Sequence, residues 1–144
     1  MQRLILILLF TLSSLGNAAE NPKSVFVKAR CDGKISSAVL SSFKEEIRTS
    51  QRYEVVPALD DNGKMDKVLD VQMSCMEHDN VVAIATVFGV AKCFGPRNCH
   101  VSIDGSTLGV ILCYSTAIPE CGRTIFKAFD DYASRPNPAQ LKLE

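Results

Sequence analysis

The sequence predicts an α+β domain, in which a single antiparallel-rich sheet carries two helices on one face, in the order β-α-β-β-β-(β)-α, stapled by disulfides. Three observations lead there. Two stretches have the 3.6-residue apolar period of amphipathic helices. The segments around them alternate every second residue or are almost continuously apolar, and turn residues separate them. Six cysteines follow an N-terminal segment patterned for export.

Ser24 to Cys31 alternates, with Val25, Val27, Ala29 and Cys31 in one phase and Lys28 and Arg30 in the other, as a half-buried strand does. Lys28 and Arg30, with Phe26 in the same phase, form a basic strip that is exposed only if the helices take the opposite face. Asp32-Gly33-Lys34 turns the chain, with Asp32 placed to cap a helix over Ile35–Ser50. Ile35, Ala38, Val39, Phe43 and Ile47 are its buried stripe, and Lys44, Glu45 and Arg48 face water. Tyr53–Pro57 is a short strand, and Asp60–Lys64 a loop.

Lys67–His78 and Val81–Cys93 form a long hairpin turning at His78-Asp79-Asn80. Its return strand has few polar residues on either face, which places it centrally in the sheet. Asp104-Gly105 is a hairpin signal and divides the following segment into strands 100–104 and 107–115, with a bulge in one long strand as the alternative. Ile118–Ser134 is the closing helix, with Pro119 in its first turn and Cys121, Ile125, Ala128, Phe129 and Tyr132 on its buried side.

Met1-Gln2-Arg3, the apolar run Leu4–Leu12 and the small residues up to Ala19 read as a signal peptide cut after Ala18, with Ala19 as second choice. The apolar core is too short to span a bilayer, and no lipid-attachment cysteine follows it. The expected organisation is therefore signal peptide 1–18, domain 19–134 and a loose tail 135–144, with a periplasmic or secreted location. Cleavage removes one basic residue, Arg3, from a balanced 16 basic and 16 acidic, so nothing in the charge speaks for nucleic acid or an anionic membrane.

Cys93 and Cys99 bracket a tight turn between strands, and Cys113 and Cys121 bracket the passage into the last helix. Cys31 and Cys75 remain, both on the inward phase of their strands. These three pairs are the expected disulfides, one choice among fifteen connectivities.

No residue constellation carries chemistry. His78-Asp79 sits at a hairpin tip without a cleft. Cys93, Cys99 and His100 have a superficial metal-ligand look, but the spacing and the oxidising compartment favour a disulfide. The fragment DDNGKMD around Asp60, Asp61 and Asp66 lacks the alternate ligands and closing Glu of a calcium loop. We therefore assign no catalytic residue, metal or cofactor.

The segments SVFVKAR, ISSAVLSSFKEEIRTS, RYEVVP and KVLDVQMSC run strand, helix, short strand, hairpin. In this order of elements the chain resembles the small α+β modules of bacterial envelope proteins, such as the N-terminal domain of the Tol-Pal component TolB and related modules of outer-membrane secretion and polysaccharide-export assemblies. The resemblance covers about half of the mature chain and implies the fold and an envelope setting. The six cysteines and the missing lipid-anchor cysteine depart from that pattern, and no functional residue carries over.

The expected function is a non-enzymatic module that binds another envelope or secreted protein, with Tyr53–Pro57 or the 100–104 region as an edge open to a partner strand. One alternative is a secreted hydrolase inhibitor acting through Phe94, Pro96 and Arg97 in the loop clamped by Cys93 and Cys99. Another is a small-ligand domain with an apolar pocket between sheet and helices.

Overall fold

The computed structural model describes residues 22–59, 68–93, 99–102 and 107–135, excluding the side chains of 93, 99, 102, 107 and 108. The expected signal peptide, the DDNGKMD segment, Phe94–Asn98, Asp104-Gly105 and the expected tail beyond Arg135 lie outside these residues.

Six strands and two helices follow in the order β1 Lys23–Arg30, α1 Lys34–Thr49, β2 Tyr53–Val56, β3 Val68–His78, β4 Val81–Cys93, β5 Cys99–Ser102, β6 Thr107–Tyr114 and α2 Ile118–Ala133. The strands form a single mixed sheet, ordered β2-β1-β3-β4-β5, with β6 also on β4. β1 is parallel to both β2 and β3, and the pairings of β3, β5 and β6 with β4 are antiparallel. The return strand β4 is central, as its apolar character on both faces implies.

The expected hairpin at Asp104-Gly105 does not form. β3 occupies one edge of β4, so β5 and β6 share the other, end to end. Val90 faces Ser102 and Val87 faces Thr107, so three steps along β4 match five along the opposing chain. β5 and β6 thus run along β4 as the bulge alternative expects, on either side of residues 103–106, which lie outside the described residues. A hairpin preference is local and small, whereas pairing of both β5 and β6 with β4 satisfies backbone groups of both strands.

The helices pack against each other and cover one face of the sheet. Val39, Phe43 and Ile47 of α1 and Ile125, Phe129 and Tyr132 of α2 are buried against Val25, Val71, Val82, Ile84, Phe88 and Cys113. Phe129 stands edge-on to Phe43, Tyr53 and Phe88 at centroid distances of 6.1, 5.0 and 5.8 Å. Gly122 of α2 lies where the helices touch, since a Cβ there would run into the Ser42 hydroxyl and stand 2.7 Å from Ser42 Cβ and 3.0 Å from the Phe43 backbone nitrogen.

The α1 N-terminus is capped differently from the expected Asp32 arrangement. The N-cap residue is Gly33, and it makes no side-chain cap. Instead, the Gly33 N–H donates to Ser36 Oγ at 2.9 Å, and the Ser36 N–H donates to Glu77 Oε2 of β3 at 3.0 Å. This long-range contact replaces the usual local cap and is aligned with the helix dipole. It also accounts for Gly33, because a Cβ there would collide with the Glu77 carboxylate.

Two of the expected disulfides form within the described residues, Cys31–Cys75 (Cα–Cα 4.8 Å) and Cys113–Cys121 (Cα–Cα 5.9 Å). Arg30 pairs with Ser74 in register, so Cys31 emerges from β1 beside Cys75 of β3. The remaining two cysteines are aligned by the backbone, with Cys93 directly opposite Cys99. No helix among the described residues is long and apolar enough to cross a membrane.

Candidate functional site

The two faces of the sheet differ in cover. Odd-numbered residues of β1 and β3 and even-numbered residues of β4 point under the helices, and their neighbours point to the other face. On that second face the apolar side chains are buried at one end only, where Val56, Val68 and Ala91 pack with Phe26 and Leu59. Beyond this cluster no described element covers the face.

Its layout follows from the register. Arg30 pairs with Ser74, and Ser74 with Ala85; Lys28 pairs with Gln72, and Gln72 with Val87. Further along, Met76 pairs with Ala83 and Ala83 with Leu112, while His78 pairs with Val81 and Val81 with Tyr114. Met76 is 77% exposed, Val110 66%, Leu112 59% and Tyr114 56%. Ala83 and Ala85 carry the smallest apolar side chains of the region, and Met76 stands on one side of them with Val110, Leu112 and Tyr114 on the other. Large exposed apolar side chains gathered on one sheet face are a mark of an interaction surface.

The basic strip anticipated from the sequence lies on this open face. Lys28 and Arg30 are exposed and, with Gln72, Met73 and Ser74, line a shallow depression of about 190 Å³. The Gln72 amide Nε2 donates to Asp70 Oδ2 at 2.8 Å. Asp70, in the same phase of β3, is only 2% exposed. Burial raises its carboxyl pKa, against the opposing pull of the Gln72 amide and the Lys28 charge. The exposed chemistry of the depression is thus that of donors and positive charge.

The other residues singled out in the sequence do not converge. His78 and Asp79 form an exposed pair, Nε2 to Oδ2 3.4 Å, at the tip of the β3–β4 hairpin. Among the described residues, no group of three or more His, Cys, Asp or Glu gathers as a metal site. Phe94, Pro96 and Arg97 lie outside the described residues, although Cys93 opposite Cys99 aligns the two ends of their loop. Both expected edges are sheet edges: β2 ends one side, and β5 with β6 ends the other.

Sequence reading missed a cluster joining β2 to the end of α2. Asp130 Oδ1 accepts from the Tyr53 hydroxyl at 2.6 Å, and Asp130 Oδ2 from Arg52 Nη2 at 2.6 Å. Burial, then the contact with Asp130, pushes the Tyr53 phenol up to about 12. The Tyr53 hydroxyl and both Asp130 oxygens are engaged within the fold, which holds α2 against the sheet edge. No sequence spacing signals a contact between residues 77 positions apart. The open face was missed for a related reason. TLGVILCY is apolar in both phases, so no alternation marks an exposed side.

The sheet face opposite the helices thus carries two cations at one end and a cluster of exposed aliphatic and aromatic side chains at the other. The chain matches no protein-family model and none of the curated proteins it was compared with.

Proposed function

We propose that this chain is an exported, disulfide-stapled module that binds another protein of the cell envelope or exterior through the open face of its sheet. One observation carries the reading. Met76, Val110, Leu112 and Tyr114 are more than half exposed together on one face, while the helices bury the other. Such a patch costs solubility unless a partner covers it. Two disulfides support an oxidising destination, as does the signal-peptide pattern of residues 1–18. The element order shared with small envelope modules supports the same setting.

The test is site-specific photocrosslinking in the exporting cell, with the reactive group at position 112 on the open face and, in parallel, at position 127 on α2. The reading expects a discrete protein adduct from position 112 alone. Leu112→Asp should abolish the corresponding native complex while leaving the melting temperature within the small range of surface substitutions, roughly 0.5 kcal/mol. Failure to recover any adduct or complex, or a complex that tolerates Leu112→Asp, would sink the reading. Export is tested separately by the intact mass of the recovered protein, which should begin at Ala19 or Glu20.

A second reading, hydrolase inhibition through Phe94, Pro96 and Arg97, draws support from the register that sets Cys93 against Cys99. Unchanged activity of a panel of secreted proteases and lysozymes at micromolar protein would remove it.

A further inference from the structure

We propose that the open face is a two-part dock for an acidic amphipathic polypeptide segment: Lys28 and Arg30, with Gln72 and Ser74, take its carboxylates, and Met76, Val110, Leu112 and Tyr114 take its apolar side chains. The inference rests on the protein-binding reading and adds the chemistry of the partner.

Charge complementarity selects the occupant. Lys28 and Arg30 are neighbours in one phase of β1, and neither forms an ion pair among the described residues. The carboxylate beside them, Asp70, is withdrawn from solvent and occupied by the Gln72 amide. Glu54 lies one strand away on β2, level with Ser24 rather than with the depression. A ligand on this face therefore meets two cations together with the Gln72 amide and Ser74 hydroxyl. Paired with a carboxylate, such groups make charge-assisted hydrogen bonds.

The apolar half excludes a small anion as the whole ligand. None of the described residues encloses the depression, so a free anion there would trade water for two solvated cations at little gain. A polypeptide adds the burial of four apolar side chains to the same contact. A membrane surface has both features too, but its attraction is about 1 kcal/mol per basic residue, and two cations on a nearly neutral chain supply little.

Register also sets the spacing. The row Arg30–Ser74–Ala85 reaches β6 between Ile111 and Leu108, where the register shifts, three strand intervals away. At ~4.8 Å per interval, cations and outer apolar residues are about 14 Å apart. The bound segment should separate its carboxylate from its apolar anchor by about nine residues if helical, or about four if extended.

The test is a peptide-display selection on the full chain, recovered with its disulfides formed, followed by binding of the enriched peptides to variants. Support is enrichment of peptides that join Asp or Glu to aliphatic or aromatic residues at one of these spacings. Their affinity should fall roughly tenfold or more for Lys28→Glu/Arg30→Glu, weaken with added salt, and be lost in Leu112→Asp. Lys28→Gln/Arg30→Gln, which removes charge without reversing it, should give a smaller loss, and the melts of all variants should match wild type. Peptides that bind the charge-reversed protein as tightly would overturn the inference while leaving a protein-binding module. Capture by vesicles of phosphatidylcholine and phosphatidylserine, with no peptide enriched, would overturn both readings in favour of a membrane surface. Enrichment of nothing on either probe would overturn the inference and leave the protein-binding reading to the crosslinking experiment.

Discussion

Gly122→Ala adds one methyl group where the two helices touch. Its Cβ would stand 2.7 Å from Ser42 Cβ and 3.0 Å from the Phe43 backbone nitrogen. Carbon atoms pack without repulsion at about 3.5–4.0 Å, so the helices must part by about 1 Å or α2 must slide. Sliding is opposed at once by the Cys113–Cys121 bridge, one residue away, and by Phe129, enclosed by Phe43, Tyr53 and Phe88. Overpacking of this kind costs about 1–3 kcal/mol. Against it stands the helix preference of Ala over Gly, about 1 kcal/mol. The close contact wins, and Gly122→Ala should destabilise the oxidised protein by about 1 kcal/mol, or about 4 °C in thermal unfolding followed by circular dichroism. Gly122→Val brings further methyl groups into the same space and should cost about 3 kcal/mol. Ser42→Gly in the Gly122→Ala background removes both clashing side-chain atoms, so a double-mutant cycle should show favourable coupling of about 1 kcal/mol. Ser42→Ala keeps the Cβ and should rescue little. A Gly122→Ala protein that melts at or above the wild-type temperature would refute this account of the helix crossing.

Four further outcomes follow from the same structure. Replacing Cys31 and Cys75 by Ala should cost about 4 kcal/mol, against about 2.5 for Cys113 and Cys121, because their separations of 44 and 8 residues restrict the unfolded chain unequally; equal losses in denaturant melts would contradict the entropic reading. The backbone N–H of Ser36, ahead of lesser contacts from Ile35 and Lys34, holds the Glu77 carboxyl below its ordinary 4.5, so the stability it contributes is present above that pH and lost as pH falls through the depressed value. Glu77→Ala should therefore melt below wild type at pH 7, with the gap closing in acid, and a gap independent of pH would refute the capping role. Tyr53 titrates near 12 rather than 10, so its contribution is whole below pH 10 and fades towards 12; Tyr53→Phe should cost about 1 kcal/mol at pH 7 and remove that alkaline limb from the stability curve. Thr86 Oγ1 is buried without a hydrogen-bond partner among the described residues, so the near-isosteric Thr86→Val should raise stability by about 1 kcal/mol, and a loss on chemical denaturation would point to a bond to that hydroxyl.

Several elements were legible in the sequence because short-range periodicity encodes them. The stripe Ile35, Val39, Phe43, Ile47 repeats at the helical period and is buried as a unit, and Leu69, Val71 and Met73 alternate and share the core face. Cys31 and Cys75, the pair left by the two sequence-near pairs, share an inward phase, and the parallel register of β1 and β3 places them side by side. In each case a residue's neighbours at i+2 or i+4 carry the information, and burial follows from local geometry.

Tertiary structure alone decided which face of the sheet the helices cover, and with it whether Lys28 and Arg30 are hidden or exposed. Both phases of β4 and β6 are apolar, so no alternation distinguishes their faces. Cover is set by where α1 and α2 dock across the whole sheet. The same holds for the segments on either side of Asp104-Gly105, which the local turn preference would pair with each other and which pair with β4 instead. It holds also for the cap of α1, which Glu77 supplies from 41 residues away. Pattern within the sequence determined the elements and their inward phases. Long-range pairing, in which backbone hydrogen bonds and apolar burial outweigh local preferences, determined the open face on which the proposed function rests.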